Sequence, residues 1–281
     1  PGFAVYGFVL GAYFGDYRGA YRFGELAFDL TVREGKPHYF AHVQYHRALV
    51  GSWARPLREV LVLERQALQG FVDIGDRLIA CICAHRIAMD AIMQGEPLEA
   101  VEARVDEHLA LASQSRFAHG IETLTIQRQL IRALRGTTQR LGSLADTDFD
   151  EAGFAARRTP ARAGSVDCWF HLARLATLCL AGDDALGHQA ALDAEPWFDQ
   201  VDGLLSAHGY YFYDALCIAA MADDAEPVQR AALRARLASH EAQLRRWSDV
   251  NAATFGHGWL LIAAELARVD EPATPVLPQL D

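Results

Sequence analysis

The sequence has little positive charge. Its 281 residues include 26 Lys and Arg against 36 Asp and Glu, which gives a formal net charge of −10. Non-specific binding to nucleic acid needs a basic surface that neutralises phosphates, so we do not expect a nucleic-acid partner. No apolar run has the length of a membrane-spanning helix and no signal peptide opens the chain, so we do not expect a membrane partner either.

Motifs of the common catalytic folds are also missing. The sequence contains no G-x-x-x-x-G-K-[ST], G-x-G-x-x-G, G-x-S-x-G or H-E-x-x-H, and no kinase signature. These absences argue against P-loop ATPase, kinase and α/β-hydrolase chemistry in this chain. We therefore expect neither a catalytic site nor a cofactor.

Cysteines are few, and no C-x-x-C pair occurs among them. The five are Cys81, Cys83, Cys168, Cys179 and Cys217. An odd number without paired spacing predicts neither a disulfide framework nor a zinc knuckle. Most lie in apolar helical runs, where a thiol behaves as a small buried hydrophobic group. Free thiols fit a reducing compartment, and we expect a cytoplasmic protein.

Helical periodicity fills almost the whole chain. Apolar residues recur at helical spacing and runs with strand alternation are scarce, so we predict an all-α protein of about twelve or thirteen helices. Three breaks are alike: YFGDYRGA, DIGDRLIA and LAGDDALG each end a helix at Gly-Asp and start another. A degenerate helix–turn–helix repeat is typical of an α-solenoid, here built from irregular TPR-like helical hairpins.

One polar, Arg- and Gly-rich region interrupts this pattern. We predict a long loop over residues 138–167, with a short helix near Asp150–Ala156. The loop sets a boundary between TPR-like hairpins in residues 1–160 and further hairpins in residues 161–270. Residues 271–281 contain three prolines and are predicted to be a Pro-rich tail.

Three histidines stand at intervals of four in PHYFAHVQYHRALV: His38, His42 and His46. On a helix, either adjacent pair is spaced to bind one metal ion, but the outer two lie about 12 Å apart along the axis. A metal site would need ligands from a second helix. The interleaved aromatic and apolar residues favour a packing face instead.

Aromatic residues concentrate near the end of the chain, in HGYYFYDALCIAAM and in RRWSDVNAATFGHGWLLIAAELAR. Consecutive aromatics in a helix point in all directions, so some pack between helices and others face a groove or solvent. Tyr and Trp are enriched where one end is apolar and the other is wet. The predicted ligand or partner groove consists of Tyr210, Tyr211, Tyr213, Trp247, His257 and Trp259.

The same stretches carry a family resemblance. PWFDQVDGLLSAHGYYFYDALCIAAM and QLRRWSDVNAATFGHGWLLIAAELAR, with GSWARPLREVLVLERQALQGFVDIGDRLIA upstream, resemble the TPR-like helical region of bacterial multi-domain hybrid sensor kinases. Those proteins combine a kinase-like domain, a STAND/AAA-type ATPase, this helical region, GAF and histidine-kinase modules. The chain departs from the family at Gly258, where a basic residue is usual. The resemblance implies that catalysis belongs to neighbouring modules.

Three functions follow as hypotheses. The first, which we favour, is a non-catalytic interaction scaffold within a larger bacterial signal-transduction protein, holding a protein partner or its own ATPase and kinase modules. The second is a small-molecule sensor that binds an inducer in the aromatic groove. The third is a metal-dependent enzyme built around His38, His42 and His46.

Overall fold

The computed structural model describes residues 1–114, 116–158, 164–201 and 203–270. In these residues the chain forms thirteen α-helices and two short 3-10 segments, and no β-strand. The prediction of an all-α protein is therefore confirmed. The predicted Pro-rich tail lies outside the described residues.

The helices before the loop run in sequence without long gaps: α1 Gly2–Phe14, α2 Tyr17–Arg33, α3 Phe40–Ala54, α4 Leu57–Asp73, α5 Arg77–Gln94, α6 Leu98–Gln114 and α7 Ala118–Leu134. Those after it are α8 Glu151–Ala156, α9 Ser165–Ala181, α10 Asp184–Ala194, α11 Ser206–Met221, α12 Pro227–Val250 and α13 Ala252–Asp270. The 3-10 segments are Pro37–Tyr39 and Glu195–Gln200.

The Gly-Asp breaks form the helix ends that the sequence predicts. Gly15 has φ 69°, a left-handed conformation that glycine adopts without a Cβ clash, and it ends α1. The Asp16 side chain then accepts a hydrogen bond of 2.9 Å from the Gly19 backbone N–H and caps α2. Gly75, with φ 76°, and Asp76 repeat this arrangement between α4 and α5.

Successive helices pack as antiparallel neighbours. From α1 to α7 each helix contacts the next, α7 contacts α9, and the succession continues to α13. Several helices also contact the next but one, such as α5 with α7 and α9 with α11. The apolar stripes of these helices face one another, and their burial is the main source of stability.

The two ends of this succession are bonded to each other. Trp247 on α12 donates a hydrogen bond of 2.9 Å to the Tyr17 hydroxyl on α2, and its ring centroid lies 4.9 Å from that of Trp53 on α3. Asn251 donates a hydrogen bond of 2.8 Å to the Arg55 carbonyl oxygen. In an open solenoid each repeat contacts only its neighbours. The contacts of Trp247 and Asn251 therefore differ from those of a simple open solenoid.

The described part of the predicted loop is well packed. Its short helix is confirmed as α8, where the Asp150 side chain accepts a hydrogen bond of 3.0 Å from the Gly153 N–H. Leu144, Phe149 and Phe154 of the loop are buried in one apolar cluster with residues of both α7 and α9. The core is thus continuous across the boundary that we predict near residue 160.

The structure also bears on two expectations drawn from hydropathy, one about membrane-spanning helices and one about the cysteines. None of the described helices is both long and apolar enough to cross a membrane. Four cysteines are buried as small hydrophobic groups, and Cys179 is the one that is only partly buried.

Candidate functional site

The three histidines do not share one helix. His38 lies in the 3-10 segment Pro37–Tyr39 and is exposed, whereas His42 and His46 lie on α3. Pro37 starts this separate turn because its fixed φ suits a first helical position. The assumption of a single helical face is therefore wrong for His38.

His42 and His46 make packing contacts. The His42 ring centroid lies 4.9 Å from that of Phe71 in an edge-to-face arrangement. His46 Nδ1 is 2.8 Å from the His42 carbonyl oxygen, and burial lowers the pKa of its imidazole. Among the described residues neither histidine belongs to a group of three potential metal ligands.

Four of the six predicted groove residues lie in helix interfaces. The Tyr210 hydroxyl donates a hydrogen bond to Glu195, and Trp259 Nε1 donates one of 2.7 Å to Glu241 Oε1. The Tyr211 and Trp247 rings stack edge to face, with centroids 5.4 Å apart. None of these four lines the largely apolar cavity that the described helices enclose.

Tyr213 and His257, the other two groove residues, do line that cavity. It holds about 270 Å³ and lies between α5, α7, α9, α11 and α13. The walls consist of apolar and aromatic side chains with a few polar groups, as is typical of small-molecule sites. The wall residues include Met89, Met93, Ile126, Leu130, Trp169, Leu172, Ala173, Ala176, Phe212 and Tyr213.

Three polar atoms of residues that line the cavity lack hydrogen-bond partners among the described residues: Gln127 Oε1, Ser206 Oγ and His208 Nε2. Gln127 lies on α7, Ser206 and His208 lie in the first turn of α11, and all three are buried. Burial lowers the pKa of the His208 imidazole to about 3, so the ring is neutral near neutral pH. A buried polar atom without a partner carries a desolvation cost of roughly 1–3 kcal/mol, so these atoms call for an explanation.

Gly258 makes room for His208 on the opposite helix. A Cβ at this position would lie 3.3 Å from His208 Nε2 and 3.4 Å from the Phe212 ring. The glycine that departs from the resembled family thus lets α13 lie close to α11 beside the cavity.

The carboxyl of Asp90 lines the cavity from α5 and belongs to a buried charged group. Arg86 donates a hydrogen bond of 2.6 Å to Glu64 and one of 3.2 Å to Ser52, whose hydroxyl lies 3.3 Å from Asp90. Burial, with repulsion from Asp90, raises the pKa of Glu64 well above its usual value, and burial raises that of Asp90. These directions favour one proton on the carboxyl pair, which balances the single charge of Arg86.

A second buried polar group surrounds Asp214 on α11. Its Oδ1 lies 2.7 Å from His188 Nδ1, and its Oδ2 accepts hydrogen bonds from Arg236 at 2.9 Å and from His240 at 2.8 Å. Arg236 also donates to Tyr210. Although burial opposes ionisation, the hydrogen bonds and the Arg236 charge hold the pKa of Asp214 far below its usual value.

Sequence reasoning missed most of the cavity. Asp90 and Ser206 did not stand out, and Trp169 and His208 were not among the predicted groove residues. One signal was available, because Arg86 and Asp90 interrupt the largely apolar stretch RLIACICAHRIAMDAIM. A charged residue inside such a helix is rarely buried unless it is paired or functional.

No protein-family model, curated protein or solved structure matches the chain.

Proposed function

We propose that this chain is a ligand-binding regulatory module that takes a small, neutral molecule into the cavity between α5 and α13. The observation that carries this proposal is a partly open, largely apolar cavity of about 270 Å³ beside buried polar atoms without partners. Concave, mostly apolar cavities with a few polar groups are where small molecules bind, because an apolar occupant removes their walls from water. This is the sensor hypothesis, and it assigns the chain no catalytic step.

The walls define the chemical class of the ligand. An apolar cavity of roughly 150 Å³ is large enough to take up benzene, so this one suits a molecule of one or two fused rings. The neutral imidazole of His208 and the hydroxyl of Ser206 call for one hydroxyl or N–H group on the ligand. Asp90 and Arg86 already balance each other with Glu64, so an ionic ligand would find no free counter-charge there.

Ligand binding at this position would act on the whole module. The cavity walls come from three helices on the N-terminal side of α10 and from two on its C-terminal side. A ligand stabilises the arrangement that binds it best. Occupation of the cavity would therefore fix the packing of helices from both ends of an irregular, TPR-like solenoid.

The test measures the melting temperature of the protein with indole, phenol and cyclohexanol as probes. We expect indole to give a saturable rise, because mass action stabilises the state that binds. Ala176→Phe fills the cavity from α9 and should abolish the rise. Leu180→Phe, on the same helix but 52% exposed, is the matched control and should keep it. No rise with any of the three probes, or an undiminished rise in Ala176→Phe, would contradict the proposal.

The interaction scaffold is a second candidate, favoured by the outer face of α1. Phe3, Tyr6, Tyr13 and Phe14 are 49–75% exposed, while Ala4, Gly7 and Gly11 pack inward. A helix that is apolar all round is expected to be buried on every side. We propose that this face packs on a helix of a neighbouring module in a cytoplasmic bacterial hybrid sensor kinase, as the resemblance implies.

Site-specific photo-crosslinking in cells would test this second candidate. A photo-reactive residue at Tyr13 should give crosslinks that map to one helical segment. Val228 on α12 is the control, because it is 85% exposed as a single apolar residue. Equal and scattered crosslinking from both positions would contradict a docking face on α1.

A further inference from the structure

Two thiols and a carboxylate meet near the far end of α9. Cys179 lies in the last turn of α9, Asp184 is the first residue of α10 and Cys217 lies on α11. Their Sγ and carboxylate oxygen atoms all lie within 4.8 Å of one another. Among the described residues this is the one group of three potential metal ligands with that spacing.

The local chain path accounts for this meeting. Gly182 ends α9 with φ 77°, and the chain reverses so that α10 runs back along α9. Gly187 then allows α10 to lie close to α11, since a Cβ there would be 2.7 Å from Cys217 Sγ. The turn at Gly182 and the close packing at Gly187 hold Asp184 beside the two sulfur atoms.

We propose that Cys179, Asp184 and Cys217 form a binding site for a thiophilic divalent cation of the zinc class. Zinc binds thiolate sulfur at about 2.3 Å and carboxylate oxygen at about 2.0–2.2 Å in a tetrahedral arrangement. Ligand atoms in such a site are less than about 4 Å apart, so the three groups need to approach by no more than about 1 Å. Water supplies the fourth ligand. This site is independent of the cavity.

The surroundings favour a cation. Asp184 also lines a surface hollow with Asp183 and Asp224, and no basic residue lines that hollow. The acidic lining would attract a cation and lead it to the thiols. The neighbouring His188 is held by Asp214, so it does not compete as a ligand.

Metal binding is expected to depend on pH. Thiols bind a metal ion as thiolates, so binding releases their protons and affinity should rise with pH.

The experiment adds Co²⁺ and then Zn²⁺ to the reduced protein. We expect one equivalent of Co²⁺ to give a sulfur-to-cobalt charge-transfer band with the visible bands of a tetrahedral site, and Zn²⁺ to remove both. Cys179→Ser and Cys217→Ser should abolish the band. Asp184→Asn, at a partly exposed position, should keep the fold and weaken binding roughly tenfold or more.

Cys168→Ser is the matched control, since it removes a buried thiol from the same helix α9 outside the group. It should bind metal as the original chain does. Circular dichroism separates loss of binding from loss of fold in the cysteine variants. A reduced protein without the charge-transfer band, or a band that survives in both Asp184→Asn and Cys217→Ser at full affinity, would overturn the proposal.

Discussion

Two buried polar regions of this protein differ in how their hydrogen bonds are satisfied. Around Asp214 both carboxylate oxygens have partners, and Arg236 supplies the opposing charge. At the cavity, Ser206 Oγ and His208 Nε2 are buried without a partner. Buried polar atoms with partners rigidify a fold, whereas those without partners carry a cost that needs a reason. In the Asp214 network the atom without a partner among the described residues is His240 Nδ1, while the carboxylate itself is fully bonded. We therefore propose a structural role for the Asp214 network and ligand binding for the cavity.

The carboxyl groups of the two regions are shifted in opposite directions. Hydrogen bonds from His188 and His240 and the charge of Arg236 lower the pKa of Asp214. Burial, with two carboxyls sharing one guanidinium, raises the pKa values of Glu64 and Asp90. Burial raises the pKa in both regions, and at Asp214 the hydrogen bonds from two histidines and the charge of Arg236 outweigh it.

The largest expected effect comes from Asp214→Asn. The amide replaces an oxygen that accepts hydrogen bonds with a group that donates them, and it removes the buried one of the two carboxylate partners of Arg236, which keeps the exposed Glu195. Breaking a buried ion pair costs about 3–5 kcal/mol of unfolding free energy. Urea denaturation measures this loss, with Asp223→Asn as the control, because its partner Arg268 is 44% exposed and that pair is worth less than about 1 kcal/mol. Equal losses of unfolding free energy in Asp214→Asn and Asp223→Asn would contradict the view that the buried pair contributes more than the exposed one.

The next largest effect is a dependence of folding stability on pH, which His208 introduces. The pKa of its imidazole is about 3 in the folded state, against about 6.5 for a histidine in the unfolded chain. The unfolded state therefore binds the proton first, and stability is lost as the pH falls from about 6.5 towards 3.

His208→Gln should remove this contribution. The difference in unfolding free energy between the original chain and the variant should shrink by about 1.4 kcal/mol for each pH unit below 6.5. Denaturation curves from pH 7 to pH 4.5 measure it, and carboxyl groups that titrate alike in both proteins cancel in the difference. A difference that does not change with pH would show that His208 is already protonated or solvated.

Glu64→Gln should cost less than about 1 kcal/mol. If the carboxyl pair holds one proton, a neutral amide at Glu64 reproduces the charge of the protonated group and still accepts the hydrogen bonds from Arg86. Asp214→Asn makes the same chemical change in the other region, so the two variants form a matched pair. A loss at Glu64 as large as that at Asp214 would mean that Glu64 is ionised.

The smallest expected change in stability is that of Ser206→Ala. Removing a buried hydroxyl without a partner should alter the unfolding free energy by no more than about 0.5 kcal/mol, and the change can be stabilising. Indole should bind the variant less tightly, which isothermal titration measures. A destabilisation above about 1 kcal/mol would show that the hydroxyl has a structural partner.

Local signals in the sequence predicted local structure well. The Gly-Asp turns and the helix capped by Asp150 follow from backbone preferences that neighbouring residues fix. His38 was misassigned because Pro37 starts a 3-10 turn as readily as an α-helix. The cavity was not predictable, since its walls come from five helices whose relative positions depend on tertiary packing.

The aromatic cluster on α11 shows the same limit of prediction from sequence. Tyr210, Tyr211, Phe212 and Tyr213 are consecutive, and helical geometry sends each in a different direction. The sequence located the helix that contributes to the cavity, but it could not tell that Tyr213 faces the cavity while Tyr210 joins Asp214 through Arg236.

The bond between Trp247 and Tyr17 joins residues 230 positions apart, and this separation has a consequence for folding. Local helix pairs close quickly, but contacts of such long range form only after the chain has lost most of its conformational entropy. Docking of the last helices on the first should thus be a late, slow step, because all the intervening helices have to form before it. Once it is complete, α2 and α12 should exchange their amide hydrogens together rather than one end of the chain before the other.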